Sequence, residues 1–442
     1  MELNKTHDPS ARSWVASANL DGADFPLQNL PFSVFRRRAS SEGFRGGVAI
    51  GDAVLDVAAV AEAGLLSGLA RDAAMACNAS LLNELLAMGP AAWHALRAAV
   101  FDLLSASASI ELQALVRTHL VPQVMAEHAV PIRIGDYSDF YTSYYHSETC
   151  GSLLEPPRPV PPNFHHVPLG YHGRASSIMI SGKPVRRPCG QYRSASEDAP
   201  RFGPTQRLDY EMELGFVVGV GNPLGTRVAL DEAESHLFGV CLLNDWSSRD
   251  VQAWEAHPLG PFLAKSFATT ISPWIITMEA LAPFRGPWAR DAKWPQPLPY
   301  LDTEAHRIGG CLDIRVEAWL ETARSTKHGA GPKRLAGTSF RHQHWSAAQM
   351  VAHHTEGGCN LQPGDLIGSG TISGPGPQEA GSMIELTRNG SHPVRFEIRG
   401  EVEERGFLAD GDTLILTGWC ERSGSTRIGF GQCAGTVLPS LL

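Results

Sequence analysis

Three acidic residues alternate with apolar ones in RLDYEMELGFVVGVG, residues 207–221. In a β-strand, Asp209, Glu211 and Glu213 would project from one face, because successive side chains alternate between faces. The same face continues to Val217, in a run that is typical of a buried strand. Buried carboxylates need a counter-charge, and their oxygens are ligands that Mg²⁺ and Ca²⁺ prefer. The pattern thus points to a divalent cation site, and a face exposed to water is the ordinary alternative.

A second polar cluster, DYSDFYTSYYHSETCG, covers residues 136–151. It places a carboxylate, several hydroxyl groups and the imidazole of His146 close together in the chain. In an extended segment, Asp139 and Tyr141 would project to the same side. These side chains could carry chemistry, but a polar loop with aromatic anchors is the alternative that this segment alone favours.

A third cluster begins where the apolar run GVCLL ends, which places Asp245 at the C-terminal end of a predicted strand. Four polar residues follow it: Arg249, Gln252, Lys265 and Thr269. Each has an ordinary explanation, since the arginine could pair with Asp250 at the surface, the lysine could be solvated, and the glutamine could lie on an exposed helical face. Their grouping beside an apolar wall favours a functional site over these separate explanations.

The segment NLQPGDLIGSGTISGPGPQEAGSMIEL, residues 360–386, is a glycine-rich loop followed by a predicted strand that carries Glu385. Its Gly-x-Gly pattern is a weak phosphate-binding signal. It lacks both the G-x-x-x-x-G-K-[ST] spacing and the strand-to-helix context of G-x-G-x-x-G. Glycines that serve tight turns and a bulge are the ordinary explanation.

The elements that would position these clusters fall into two regions. GVAIGDAVLDV predicts a β-hairpin around Gly51-Asp52, and a helical pattern follows it near residues 93–120. Pro122 and Pro131 break that pattern, and beyond them Gly and Pro punctuate short alternating runs such as CLDIRVEAWL. We therefore predict a mainly β protein with two domains. The first, residues 1–125, is a small β domain with helices, and the second, residues 126–442, is large and contains mixed sheets.

Composition excludes several classes of function. The 442 residues carry 46 acidic and 37 basic side chains, a net charge of −9, which argues against nucleic acid and anionic membranes as partners. No apolar run approaches the ~18–20 residues of a membrane span. MELNKTHDPSARSW lacks the apolar core of a signal peptide. The eight cysteines form no C-x-x-C, which favours reduced thiols in the cytoplasm and no zinc knuckle.

Taken together, the four clusters resemble the fumarylacetoacetase family, whose enzymes cleave fumarylacetoacetate to fumarate and acetoacetate in tyrosine and phenylalanine breakdown. The resemblance covers nearly the whole chain. Its motifs are DFPLQNLPFSVF and GVAIGDAVLDV, followed by DYSDFY, LGYHGRASSI, NDWSSRD, LGPFLAKSFATTISPW, CNLQPGDLIGSGTISG and GFGQCAG. It implies an SH3-like N-terminal β-barrel, then a β-sandwich roll that is particular to this family, in a homodimer.

The resemblance also implies the roles of individual residues. The metal ligands would be Asp139, Glu211, Glu213 and Asp245, with a second cation site at Asp245, Lys265 and Thr269. The general base would be His146, oriented by Glu385. Groups around the departing carbanion would be Lys265, Arg249 and Gln252. Substrate contacts would come from Tyr141, Tyr171, Gln252 and Thr371. The metal would be Mg²⁺ or Ca²⁺, and Mn²⁺ also accepts oxygen ligands.

These residue types are consistent with hydrolysis of a carbon–carbon bond in a β-diketone acid. A 1,3-diketone chelates a divalent cation, which polarises the carbonyl that is attacked. A neutral histidine can take a proton from water, and an acid can fix its tautomer. The enolate that leaves needs fixed cations and donors. No G-x-S-x-G elbow is present, which fits direct hydrolysis.

The sequence departs from the family where the acid end of the substrate would bind. Glu155 stands where the family has an arginine, the nearest arginine is Arg158, and Ala256 replaces a tyrosine. One alternative is therefore the hydrolysis of another acylpyruvate or β-diketone acid, and another is that Arg158 reaches the site by a different path. A decarboxylase or tautomerase of the same superfamily, and a non-catalytic homologue, are further alternatives.

Overall fold

The computed structural model describes residues 2–154, 159–194 and 198–442. Its N-terminal part contains helices and a sheet. These elements are β1 (Phe32–Arg37), β2 (Arg45–Ile50), β3 (Ala53–Asp56), α1 (Val57–Glu62), α2 (Gly68–Ala76), α3 (Asn83–Ala87), α4 (Pro90–Leu104), α5 (Ile110–Arg117), β4 (Leu120–Pro122) and β5 (Ala126–Ala129). The strands form one sheet in the order β4-β3-β2-β1-β5.

The predicted hairpin and helical region are confirmed. β2 and β3 pair antiparallel, and Gly51 in the turn between them has φ +55°, which glycine adopts without strain. α4 begins at Pro90, whose fixed φ favours the first helical position, and it buries the predicted apolar face from Trp93 onward. β5 pairs with β1, so this sheet reaches Ala129, past the predicted boundary at residue 125. No helix in the described ranges is long and apolar enough to cross a membrane.

The remaining chain is dominated by short strands. Its elements are β6 (Tyr137–Phe140), α6 (Tyr144–Leu154), β7 (Gly170–His172), β8 (Ile178–Ile180), β9 (Val185–Arg186), β10 (Cys189–Tyr192), β11 (Arg201–Pro204), β12 (Leu208–Asp209), β13 (Met212–Val218), β14 (Leu237–Asp245), β15 (Ser247–Ser248), α7 (Arg249–Glu255), β16 (Thr269–Ile271), β17 (Ile276–Thr277), β18 (Arg285–Gly286), α8 (Glu304–Gly309), β19 (Cys311–Leu312), β20 (Arg315–Glu321), α9 (Ala323–His328), β21 (Lys333–Ser339), α10 (Ala347–Glu356), β22 (Leu366–Gly368), α11 (Met383–Leu386), β23 (Val394–Ile398), β24 (Glu401–Arg405), β25 (Thr413–Cys420) and β26 (Ile428–Leu438).

Two sheets form the body of this region. One has the order β7-β6-β22-β13-β14-β16-β8, with β17 beside β14, and the other has the order β21-β20-β25-β26-β9. β14 of the first sheet contacts β25 and β26 of the second, so the sheets pack against each other. β13 is buried at every residue, as its apolar run predicts, and β20 alternates between buried and partly exposed residues, as CLDIRVEAWL predicts. The mainly β architecture is confirmed.

The N-terminal sheet packs against the first of these two sheets. Phe32 and Ile275 exchange backbone hydrogen bonds of 2.9 and 2.8 Å. The ring of Phe238, on β14, packs edge-on against Phe32 and Trp93 at centroid distances of 5.4 and 5.2 Å. One hydrophobic cluster therefore contains residues of both regions. Its members Val217 and Leu243 lie on the same face of the first sheet as Glu213, so the N-terminal region packs beside the acidic site.

Candidate active site

Three of the predicted carboxylates converge in the first sheet. Asp139 lies on β6, Glu213 on β13 and Asp245 at the end of β14, and β22 separates β6 from β13. The three side chains are buried, and each offers an oxygen within 4.8 Å of the others. Gly368 on β22 leaves the space for them, because a Cβ there would lie 2.5 Å from Asp139 Oδ1. Strand order thus brings together acids that are far apart in the sequence.

The electrostatics of this trio favour a bound cation. Burial and the carboxylate of Asp245 raise the pKa of Asp139 to about 8, and burial together with Asp139 raises the pKa of Glu213 well above its ordinary value. Asp139 Oδ1 and Glu213 Oε1 are buried without a hydrogen-bond partner among the described residues. Unpaired buried carboxylates are costly, and an oxygen-preferring divalent cation removes that cost. The side chains present therefore fit such an ion.

Glu211, the fourth predicted ligand, lies in a different environment. Its Oε2 accepts a 2.6 Å hydrogen bond from Lys265 Nζ, and its Oε1 lies 2.7 Å from Arg249 Nη1. Burial raises the pKa of Glu211, but Lys265 and Arg249 lower it more, so the net direction is downward. Lys265 also contacts Asp245, and Thr269 Oγ1 donates a 3.2 Å hydrogen bond to Asp245 Oδ1. The assignment of these residues to cation sites stays a prediction.

Arg249 begins α7 and is buried. The alternative explanation, a surface ion pair with Asp250, is therefore wrong. Its Nε donates to Asp209 Oδ2 over 2.8 Å, and its Nη1 donates to Gln252 Oε1 over 3.0 Å. Burial lowers the pKa of Arg249, but the carboxylates of Asp209 and Glu211 raise it by more, so the net shift is upward. Nη2 has no partner within the described ranges, so one donor of this cation is available to a ligand.

His146 and Glu385 form the predicted pair. His146 Nδ1 lies 2.8 Å from Glu385 Oε2, which also accepts hydrogen bonds from Ser382 at 2.6 Å and Ser373 at 3.1 Å. These contacts place a ring hydrogen on Nδ1, so Nε2 is the acceptor when the ring is neutral. Burial lowers the pKa of His146, but Cys150 and Glu385 raise it to a value above the ordinary one. The geometry is that of a base with an orienting acid.

The predicted strand around Glu385 is wrong, because this residue lies on the short helix α11. The Asp209 carboxylate accepts hydrogen bonds from the backbone N–H groups of Met383 and Ile384, at 2.7 and 3.0 Å. The first N–H groups of a helix have no partner inside it, and an acid placed there satisfies them. That contact joins residues 174 positions apart, so no local pattern could reveal it.

Two of the predicted substrate residues contact the pair and the trio. The Tyr141 ring lies edge-on to His146 at 5.4 Å, and burial raises the pKa of Tyr141 to about 12. Tyr171 Oη lies 2.9 Å from both Asp139 Oδ2 and Asp245 Oδ2, so its single hydroxyl hydrogen is shared between the two carboxyl groups. Thr371 Oγ1 is buried without a partner in the described chain. Ala256 is half-buried at the end of α7, whereas Glu155 and Arg158 lie outside the described residues.

Comparison with known proteins identifies the family. The model "Fumarylacetoacetase N-terminal" matches residues 28–131, and "Fumarylacetoacetate (FAA) hydrolase C-terminal" matches residues 137–438. The chain belongs to the fumarylacetoacetate hydrolase family. It is 45% identical to a fumarylacetoacetase of Oryza sativa subsp. japonica, over 97% of this chain and 98% of the relative. It is 42% identical to the Homo sapiens fumarylacetoacetase, over 96% of this chain and 98% of the relative.

A solved structure supports the family fold. The fumarylacetoacetate hydrolase of psychrophilic Exiguobacterium antarcticum matches with a TM-score of 0.51 and 15% identity, over 93% of this chain and 99% of that chain. At this identity the likeness concerns the fold alone.

Sequence reasoning missed two features of the site. The prediction that Asp209 shares a strand face with Glu211 and Glu213 is wrong, because Asp209 lies on β12 and β13 begins only at Met212. Asp209 instead connects Arg249 to the helix that carries Glu385. Cys150 is close to the base, with Sγ 3.6 Å from His146 Nδ1. Only the second had a local signal, because residues four apart on a helix lie on the same face.

Proposed function

We propose that this protein hydrolyses fumarylacetoacetate to fumarate and acetoacetate. The observation that carries the proposal is that Glu211 links the buried His146–Glu385 pair to the three carboxylates. Glu211 interacts electrostatically with His146 and pairs with Lys265, which also contacts Asp245 of the trio. Relatives that are 40–45% identical over nearly the whole chain bear the name fumarylacetoacetase, which supports this substrate.

Asp139, Glu213 and Asp245 would hold a divalent cation, with Glu211 as a further candidate ligand and Thr269 and Lys265 beside them. Such a cation, when bound, polarises the substrate oxygens as a Lewis acid. An all-oxygen set favours Mg²⁺ or Ca²⁺ and also accepts Mn²⁺. Tyr171 fixes two of the carboxylates through its hydroxyl group, so it orients the acidic site as well as facing the substrate.

His146 supplies the base. Its Nε2 accepts a proton from water, while Glu385 holds the Nδ1 hydrogen and stabilises the imidazolium that forms. The proton must leave Nε2 before the next cycle, so the carbanion of the leaving acetoacetate is its natural acceptor. Ser373 and Ser382 keep the carboxylate of Glu385 in place.

The cationic side chains stabilise the leaving enolate. Arg249 offers its unpartnered Nη2, Lys265 brings a second fixed charge, and Gln252 adds an amide anchored to Arg249. Donors fixed in advance in a buried site cost no reorganisation when charge develops. Tyr141 and Thr371 would contact the rest of the substrate.

The test is hydrolysis of fumarylacetoacetate by the purified protein before and after chelation. We expect the wild type to hydrolyse fumarylacetoacetate, to lose this activity on chelation and to regain it with Mg²⁺, Ca²⁺ or Mn²⁺. We expect the metal-loaded His146→Ala variant to be inactive. The proposal fails if activity on fumarylacetoacetate is absent in the metal-loaded protein or is unchanged in His146→Ala.

A second candidate substrate is favoured by one observation. Ala256 caps the end of α7, where its N–H bonds to the carbonyl of Gln252. The family has a tyrosine at this position, so the smaller alanine leaves more room on the side of the pocket that would hold the acid end of the substrate. Acylpyruvates or other β-diketone acids are therefore alternative substrates. Comparison of kcat/KM for fumarylacetoacetate and acylpyruvates decides, because a higher value for acylpyruvates would replace the first proposal with this one.

We also propose two domains, residues 1–125 and 126–442, with an SH3-like barrel in the first and the β-sandwich roll of the family in the second. β5, just after this boundary, pairs with the sheet of the first domain. A cytoplasmic location fits the eight free cysteines, because reduced thiols persist in a reducing compartment.

We propose a homodimer whose interface includes an exposed apolar patch. The patch consists of Phe202, Trp254, Leu259, Phe262 and Leu263. A monomer rarely exposes such a group of large apolar side chains. Light scattering after gel filtration should give twice the chain mass for the wild type and the single-chain mass for Leu259→Glu/Phe262→Glu. Val124→Glu, at an exposed residue of the N-terminal region, is the matched control and should stay dimeric.

A further inference from the structure

A second group of metal-ligating side chains surrounds the proposed base. His146 and Cys150 lie one turn apart on α6, and both face Glu385. Cys150 Sγ lies 3.6 Å from His146 Nδ1 and 3.7 Å from Nε2. The three residues are buried, and each offers a ligand atom within 4.8 Å of the others. The proposed hydrolysis assigns no role to this thiol.

The distances fit a small tetrahedral ion. Zinc bonds of ~2.3 Å to sulfur and ~2.0–2.1 Å to nitrogen place those two ligand atoms about 3.6 Å apart. The Cys150 Sγ to His146 Nδ1 distance already has that value, but Sγ is equally close to Nε2 and therefore lies over the ring face. The thiol must turn towards the ring plane at Nδ1 to share an ion with it. The 2.8 Å contact between Nδ1 and Glu385 Oε2 would have to lengthen by about 0.5 Å, which a small rotation of the carboxylate provides. Three protein ligands leave a fourth position open.

The ligand types separate this group from the acidic trio. Thiolate and imidazole favour Zn²⁺, whereas a set made only of carboxylate oxygens favours Mg²⁺ or Ca²⁺. We propose that His146, Cys150 and Glu385 form a thiolate-containing site for Zn²⁺ that inhibits the enzyme. Binding at this site does not depend on the proposed hydrolysis, but the inhibition rests on the role of His146 in it.

Zinc binding would remove the base by a balanced proton rearrangement. The Cys150 thiol releases its proton to solvent as the sulfur–zinc bond forms. His146 gives its Nδ1 lone pair to zinc, and its single ring hydrogen then resides on Nε2. No oxidation or reduction occurs. An Nε2 that carries hydrogen cannot accept a proton from water, so hydrolysis stops while the acidic trio keeps its own cation.

The first experiment titrates ZnCl₂ into the Mg²⁺-loaded enzyme in a buffer without thiols. We expect the wild type to lose activity as it binds Zn²⁺, and Cys150→Ser and Cys150→Ala to need at least about tenfold more Zn²⁺ for half-inhibition. Cys359→Ser, which removes an exposed thiol, is the matched control and should behave as the wild type. Equal inhibition of the wild type and both Cys150 variants would overturn the proposal.

The second experiment detects the site without catalysis. Co²⁺ bound to a thiolate gives a near-ultraviolet charge-transfer band, which we expect in the wild type and in Asp139→Asn but not in Cys150→Ser. A band of equal strength in Cys150→Ser would overturn the zinc site. A band in the wild type with full hydrolysis in saturating Zn²⁺ would leave binding intact but contradict the role of His146, and so would overturn the inhibition.

Discussion

Glu211, just before β13, and Glu213, on β13, show how neighbours decide the state of a residue. Glu211 and Glu213 are two positions apart, and the sequence treats them alike. Lys265 and Arg249 lower the pKa of Glu211, whereas burial and other carboxylates raise that of Glu213. Glu211 is therefore an anion paired with fixed cations, and Glu213 is one of three acids that need an external ion.

At the same scale, Glu385→Gln should separate catalysis from metal binding. The amide keeps the shape of the side chain but no longer stabilises an imidazolium at His146. We expect kcat to fall about 10²–10⁴-fold, while the Kd for Mg²⁺, measured by calorimetric titration, stays within a factor of about two. An equal loss of metal affinity would contradict the separate roles of the pair and the trio.

Thr371→Val should weaken substrate contact without harming the fold. The Thr371 hydroxyl has no partner in the described chain, so its removal breaks no internal hydrogen bond. We expect the free energy of unfolding to change by less than about 0.5 kcal/mol and kcat/KM to fall about tenfold. The matched control is Thr142→Val, because the Thr142 hydroxyl donates a 2.6 Å hydrogen bond to Ser369 O in the wild type. We expect this variant to lose about 1 kcal/mol of the free energy of unfolding, measured with denaturant.

At the scale of elements, strand pairing makes the site. β22 lies between β6 and β13, and its Gly368 pairs with Asp139 on one side and Gly215 on the other. Without a side chain at Gly368, carboxylates from two strands share one volume. Hydrophobic alternation predicts that these segments are strands, but it does not predict their order in the sheet.

Gly368→Ala should therefore damage the acidic trio. The new Cβ would lie 2.5 Å from Asp139 Oδ1 and 3.2 Å from Glu213 Oε2, so the carboxylates must move. We expect the affinity for Mg²⁺ to fall about 10–100-fold in calorimetric titration. Gly43→Ala is the control, because a Cβ there meets nothing within 4 Å, and it should bind Mg²⁺ as the wild type does. Unchanged affinity in Gly368→Ala would argue against the trio as ligands.

At the scale of the whole molecule, the trio links stability to pH. The pKa of Asp139 is raised to about 8 in the folded chain, against about 3.9 when unfolded. Folding is thus favoured by its bound proton below about pH 4, and this contribution is lost as the pH rises towards about 8. Glu213 shifts in the same direction. A cation that replaces these protons restores the lost stability.

The expected result is a gain in Tm on adding Mg²⁺ to chelator-treated protein that is larger at about pH 8 than at about pH 6. Thermal unfolding followed by circular dichroism measures it. Asp139→Asn is the control, because it removes one of the titrating acids and should reduce the difference between the two pH values. A Mg²⁺ effect that is larger at the lower pH would contradict the shift.

The sequence by itself determined the residue types, the strand and helix patterns of β13, β20 and α4, and the family motifs. These follow from side-chain periodicity within a few residues. Only the tertiary structure decided which acids meet, that Glu385 lies on a helix held by Asp209, and that Cys150 touches the base. His146 and Glu385 are 239 positions apart, and their contact depends on how distant strands and loops pack, which no local pattern encodes.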